Sequence, residues 1–376
     1  MYVSALSWWP PEDASLSQQP MPSTEAIERI GLRSLHIAMQ CPSLSALQGG
    51  LLLLQRQRSD AWSLTVQLVA MAQELGLHLD CSSWDIPVWE RRLRKRLAWA
   101  LYMQDKWSGL IHGRASHIQA SDWAVPQLSR ADLDEDVVAD DAHNKSDRQH
   151  LIFVQMIELT VIMDEVVDTF YTQKALANFA KAGNGVTAMI LAKAKPVQLK
   201  LKEWYARLPV EARMDSYAPG ELCSNGSLHL AYFATEVLIH RRIVQSLSTT
   251  ASDPYMLYIC RSAAKTRLIS ALDFVNRLRP EHLDSFWYFA SSNNLALIAA
   301  FGNLLRATAP GQEEAVFYES RLREYRWALA ISAERAEWIE GAVRILDITN
   351  GLLANLPEKP RSGERRLLSG DTHLSG

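Results

Sequence analysis

Apolar residues recur along this chain at spacings of three and four, and the period-2 alternation of half-buried strands is hard to find. The pattern predicts an all-α fold. From residue 60 to 75, Leu64, Leu68, Met71 and Leu75 step by 4, 3 and 4 along one stripe, and Gly76 follows where a helix end wants a cap. Asp85 and Pro87 then open a second helix. Its stripe runs Trp89, Leu93, Leu97, Ala100, Gln104, Trp107 and Ile111, and Gly113 stops it. Residues 115–145 are polar, with Pro126 and the acidic run Asp132, Asp134, Glu135, Asp136, Asp140 and Asp141, and read as a loop. Helical periodicity resumes over 147–180 and again over 186–208, where Pro196 predicts a kink or break. Further helices are expected over 226–248, 253–278, 282–307 and 312–356, separated by the turn signals SDP, RPEHLD and APGQ, with no fixed repeat period.

Composition supports a large folded core, since hydrophobic residues make up 48% of 376 and include 12 Trp. The net charge of -3 gives no global attraction to phosphate backbones or anionic membranes, so any basic function must be local. Cys41, Cys81, Cys223 and Cys260 form no CxxC pair and no zinc or disulfide framework. The apolar run from Leu295 to Leu305 is broken by Asn303 and short of the roughly 20 residues a bilayer needs. The start MYVSALSWWPPED lacks the pattern of a signal peptide, so the chain reads as intracellular and soluble. Both ends are Pro/Ser-rich. The expected organisation is a helical domain over 25–356 between mobile segments at 1–24 and 357–376.

Few residues invite a chemical reading. The carboxylates Asp164 and Asp168 share a helix face, but beside Glu165 they read as solvated, as does the acidic loop. His112 and His117 bracket HGRASH at a spacing that does not match a helical zinc site, so a surface turn is the better reading. Gly49 and Gly50 lie within an apolar helical run and suit close packing. Arg91, Arg92, Arg94, Lys95 and Arg96 place five cations in six positions, which suits a solvated outer face, a nuclear-import patch or a contact with an acidic partner. On that reading Trp89, Leu93 and Leu97 are buried and the cations exposed. Asp105 lies on an apolar flank, where a buried carboxylate needs a partner, and Arg114, just past Gly113, is the expected one. An effector pocket, if the chain has one, is expected near Phe286, Trp287, Tyr288 and Asn293, where aromatic rings and amides converge.

The words LQGGLLLLQR, AWSLTVQLVAMAQELGLHLDCSSWDIP, WERRLRKRLAWALYMQDKW and LIHGRASHIQASDWAV, over residues 47–128, resemble the core of the fungal-specific transcription factor domain. That domain is the middle homology region of binuclear zinc-cluster regulators. ELTVIMDEVVDTFYT, LKEWYARLP, HLAYFATEVLIHRR, FWYFASSNNLALI and YRWAL resemble the subgroup concerned with nitrogen-catabolite and GABA-type induction. Family members usually carry Pro after the Gly-Arg of the turn, where this chain has Ala115. The family's zinc cluster needs six closely spaced cysteines ahead of this domain, and no such cluster stands in this sequence.

The resemblance implies a nuclear regulator of transcription that binds the transcription machinery or a partner factor, with DNA and zinc engaged only through a cluster outside this sequence. It also leaves room for a small-molecule effector. The alternatives are a helical effector-binding or scaffold module without DNA function and a metal-dependent helical enzyme.

Overall fold

The computed structural model describes residues 23–56, 61–133, 140–247 and 253–354. The expected end segments at 1–24 and 357–376 lie outside the described residues except for Ser23 and Thr24. The described residues form thirteen α-helices and short 3-10 turns, with no strand among them. In order these are α1 (Thr24–Ala38), α2 (Leu44–Leu53), α3 (Ala61–Glu74), α4 (Val88–His112), α5 (Asp140–Phe170), α6 (Gln173–Lys181) and α7 (Val186–Ala206). They continue as α8 (Asn225–Ser246), α9 (Pro254–Val275), α10 (Pro280–Leu283), α11 (Ser291–Ala307), α12 (Gln312–Ala333) and α13 (Glu337–Ala354). None of the described helices is long and apolar enough to cross a membrane.

Capping explains several boundaries. Ser23, Ser43 and Thr172 each accept a hydrogen bond from the backbone three residues on, opening α1, α2 and α6. Thr172 also marks the break between α5 and α6 that apolar spacing over 147–180 does not reveal. Asp253 caps α9 with Pro254 at its first position. The segment 282–307 divides because residues 284–290 leave the helix, turning Trp287 inward to stack on Trp338 at 4.0 Å. The segment 312–356 divides between α12 and α13. Conversely, α5 starts seven residues before the expected position, so Asp140 and Asp141 are helical while Asp134, Glu135 and Asp136 lie outside the described residues. Pro196 does not break α7. Its exposed position leaves the carbonyl of Ala192, also exposed, open to water.

Two packing centres follow. Near the N-terminus α4 lies against α2, α3 and α5; further along, α8 is enclosed by α5, α7, α9 and α11. The core runs continuously through both, with Leu68, Trp107, Phe170, Phe274 and Phe301 fully buried. A buried Leu or Phe of this kind contributes about 2 kcal/mol.

Candidate functional site

α4 carries most of the residues with chemical potential, and its two halves behave differently. The helix ends at Gly113, which takes the left-handed conformation (φ 62, ψ 35) that L side chains rarely adopt. The Arg114 N–H reaches back to the Gly109 carbonyl at 2.9 Å and closes the turn. The chain then doubles back over the last turns of α4.

Asp105 is fully buried beneath that returning strap. Its Oδ2 accepts the backbone N–H groups of His117 and Ile118, both at 2.8 Å, and its Oδ1 lies 2.9 Å from His117 Nδ1. Asp105 therefore holds the strap by main-chain donors and an imidazole, and the expected pairing with Arg114 does not form. The left-handed turn directs Arg114 outward, where it is exposed and lies over the Trp62 ring at 5.4 Å. His117 lies against the same tryptophan, with ring centroids 4.6 Å apart and the planes tilted by 47°.

Lys106 grips the same strap from the next position. Its buried ammonium donates to the Ile118 carbonyl at 2.7 Å and Ser116 Oγ at 2.9 Å, and pairs with Asp164 Oδ2 at 2.8 Å. Tyr102 donates to the same Asp164 oxygen at 3.1 Å. Asp164 is thus buried, contrary to the expected solvated face. Burial pushes its carboxyl above the ordinary carboxylate range, opposed by the Lys106 charge and hydrogen bond. Burial, reinforced by Asp164, likewise drives the Tyr102 hydroxyl well up. Trp107 Nε1 donates to Thr160 Oγ1 at 2.9 Å, completing the seam between α4 and α5. Sequence spacing gives no hint of His117 or Asp164 as partners; a buried Asp-Lys dipeptide followed by a polar turn is the available signal.

The basic run at the other end of α4 is half-buried throughout, not on an outer face. Arg91 donates to the Trp84 and Ile86 carbonyls, both at 3.0 Å. Arg94 donates to the Leu75 carbonyl at 2.8 Å and pairs with Glu90 at 2.9 Å. Lys95 meets Asp132 at 3.1 Å, which ties α4 to the start of the acidic segment. Burial raises the Asp132 carboxyl, but hydrogen bonds from Ser129 and Lys95 outweigh it and hold the carboxyl below its usual range. Arg92 and Arg96 are also half-buried. Trp89 is 60% exposed, while Leu97 is buried and Leu93 half-buried. The segment 75–86 covers the first turns of α4 and draws in the cation stems, leaving Trp89 outside.

Around Phe286 the expected pocket is occupied by the protein itself. Trp287 packs over Gly226, where a Cβ would come within 2.9 Å of the indole, and donates Nε1 to the His282 carbonyl at 2.8 Å. Phe286 is exposed, and Tyr288 and Asn293 are half-buried. A small cavity of about 30 Å³, room for a water or two, lies instead beside the strap. His78, His117, Ile118 and Trp123 are among its lining residues. His78 Nδ1 and Trp123 Nε1 are buried and have no hydrogen-bond partner among the described residues.

No group of three His, Cys, Asp or Glu side chains arranged for a metal occurs among the described residues. Cys81, Cys223 and Cys260 are buried singly and Cys41 is exposed, so a zinc cluster does not fit on these cysteines.

Residues 33–206 match the family described as fungal specific transcription factor domain. The transcriptional activator protein DAL81 of Saccharomyces cerevisiae is 34% identical, over 95% of this chain and 40% of its own length. An uncharacterised transcriptional regulatory protein of Schizosaccharomyces pombe is 24% identical over 80% of this chain and 42% of its own. Cutinase transcription factor 1 beta of Fusarium vanettenii is 30% identical over 22% of this chain and 10% of its own. The chain thus spans about two fifths of the length of the first two relatives. No solved structure gives a significant match.

Proposed function

We propose, on the premise that the chain carries a fungal specific transcription factor domain, that it is the regulatory part of a fungal transcription regulator acting by protein contacts. The observation that carries the reading is the 34% identity to a transcriptional activator along 95% of the chain. We place the regulatory unit at 25–356, with 1–24 and 357–376 as flanks, and the site of action in the nucleus. Its partners are the transcription machinery or another transcription factor, and it works by binding rather than by catalysis. DNA and zinc are engaged by a cysteine cluster outside this sequence or by a partner's. A role in nitrogen metabolism is supported by the subgroup words ELTVIMDEVVDTFYT and FWYFASSNNLALI.

Within this reading α4 is the frame of the module, and its basic run serves the frame before it serves import. The Trp287 position is filled by the protein's own rings, and the cavity beside His117 and Trp123 has room only for a water or two.

Tethering tests the proposal. The chain fused to a heterologous DNA-binding domain is expected to change expression of a reporter bearing that domain's site, in either direction, relative to the DNA-binding domain alone. An unchanged reporter, with the fusion folded and present in nuclei, would overturn it.

A further inference from the structure

A second gathering of cations lies away from α4. From residue 173 to 207 the chain carries Lys174, Lys181, Lys193, Lys195, Lys200, Lys202 and Arg207 against the single carboxylate Glu203, in a chain whose net charge is -3. All seven cations are exposed on α6, on α7 or just past their ends.

α7 shows why they gather there. Ile190, Ala194, Val197, Leu201 and Trp204 face inward, spaced by 4, 3, 4 and 3. The opposite face is covered by no described element and presents Lys195, Leu199 and Lys202 in helical register, with Glu203 beside Leu199 and with Met189 and Lys193 at its far edge. Leu199 is 48% exposed and Met189 37%. Lys200 is neutralised by Glu165 of α5 at 2.8 Å, whereas Lys193, Lys195 and Lys202 have no ion-pair partner among the described residues.

We propose that this outer face of α7 is a docking surface for an acidic amphipathic helix of a partner protein, whose apolar side chains meet Leu199 and Met189 while its carboxylates meet Lys193, Lys195 and Lys202. Charge complementarity selects an acidic occupant. The exposed Leu and Met on the same face favour a peptide over a duplex, because phosphate contacts have no use for an apolar centre. The lysines suit diffuse steering, since none is fixed in a bidentate geometry. α7 is about 30 Å long, enough for some five turns of a partner helix. The surface does not depend on the transcriptional reading.

The test uses the full chain and a fluorescent synthetic helix of Glu and Leu with Leu at spacings of three and four, followed by anisotropy. A peptide of the same composition in scrambled order and a 20-base-pair duplex serve as competitors. Binding is expected for the patterned helix, at least about tenfold tighter than for the scrambled one, and weakening as salt rises. The combined variant Lys193→Glu, Lys195→Glu, Lys202→Glu is expected to abolish it with an unchanged melting midpoint. Leu199→Ser alone should weaken it about threefold to tenfold, consistent with one lost apolar contact. If the triple Glu variant unfolds, the triple Gln variant is used, with at least a tenfold loss expected. Equal binding of the scrambled peptide, an unaffected lysine variant, or displacement by duplex DNA at lower concentration than by the peptide would each overturn the proposal.

Discussion

The second half of α4 and most of α8 have almost their whole circumference covered, yet they are held by different physics. α4 buries Gln104, Asp105 and Lys106 and satisfies the two charges with at least three bonds each to the strap, α5 or both. α8 is enclosed mainly by apolar contact, and its buried His229 and His240 are kept neutral by burial, which pulls each down to about 4. His229 retains one bond, to the Ala212 carbonyl at 3.1 Å; His240 Nδ1 has no partner among the described residues. The lesson is that a buried charge specifies one chain path, because its donors must arrive from set directions. An apolar helix accepts any neighbour that fills the volume.

The sharpest way to break the contrast is Asp105→Ala, which removes the acceptor for three donors beside a buried lysine and is expected to cost about 3 to 5 kcal/mol. Urea unfolding measures this, and hydrogen exchange at the amides of His117 and Ile118 should rise first. A cost near zero would show that the strap is held by something other than the carboxylate.

Acidification probes α8. An unfolded histidine titrates near 6.5 and these two near 4, so the unfolded state takes up protons first. Their stabilisation is complete above pH 6.5 and is lost as pH falls toward 4. Lowering pH from 7 to 5 is expected to cost about 2 kcal/mol for each histidine. The double variant His229→Gln, His240→Gln should flatten that slope in thermal melts at pH 5 to 7. An unchanged slope would mean that both histidines are charged in the fold.

The basic end of α4 gives a smaller effect. Replacing Arg91 and Arg94 together by Gln removes donors to the carbonyls of Leu75, Trp84 and Ile86 and should cost about 1 to 2 kcal/mol. A neutral result in urea melts would return the run to the solvated role that its spacing first suggests. The smallest change is expected from Trp89→Ser, within about 0.5 kcal/mol, because that ring lies mostly in water.

How far the chain could be read depends on the kind of information each feature needs. Helical periodicity predicts α3, α4, α7, α8 and α9 well, since apolar spacing reports directly on a buried stripe. It misses the breaks at Thr172, at 284–290 and at 334–336, where a cap or an inward ring interrupts an otherwise continuous pattern. Gly113 as a left-handed stop and Asp105 as a buried carboxylate are both legible, one from backbone sterics and the other from its apolar neighbours. Its partner is not legible. Arg114 is the nearest cation in sequence, but the turn that ends the helix also throws Arg114 outward and brings His117 and Ile118 back.

The sequence by itself therefore determined the all-α class, the course of its long helices, the stop at Gly113 and the family words along α3 and α4. Those features rest on local sterics and periodicity, which act within a few residues. Only the tertiary structure decided that the arginines of α4 turn inward, that Asp164 meets Lys106 across two helices, that Trp287 fills its own neighbourhood, and that the lysines of α7 are left uncovered. Each depends on which segment arrives opposite, a choice made by the whole packed core and not by the residues on either side.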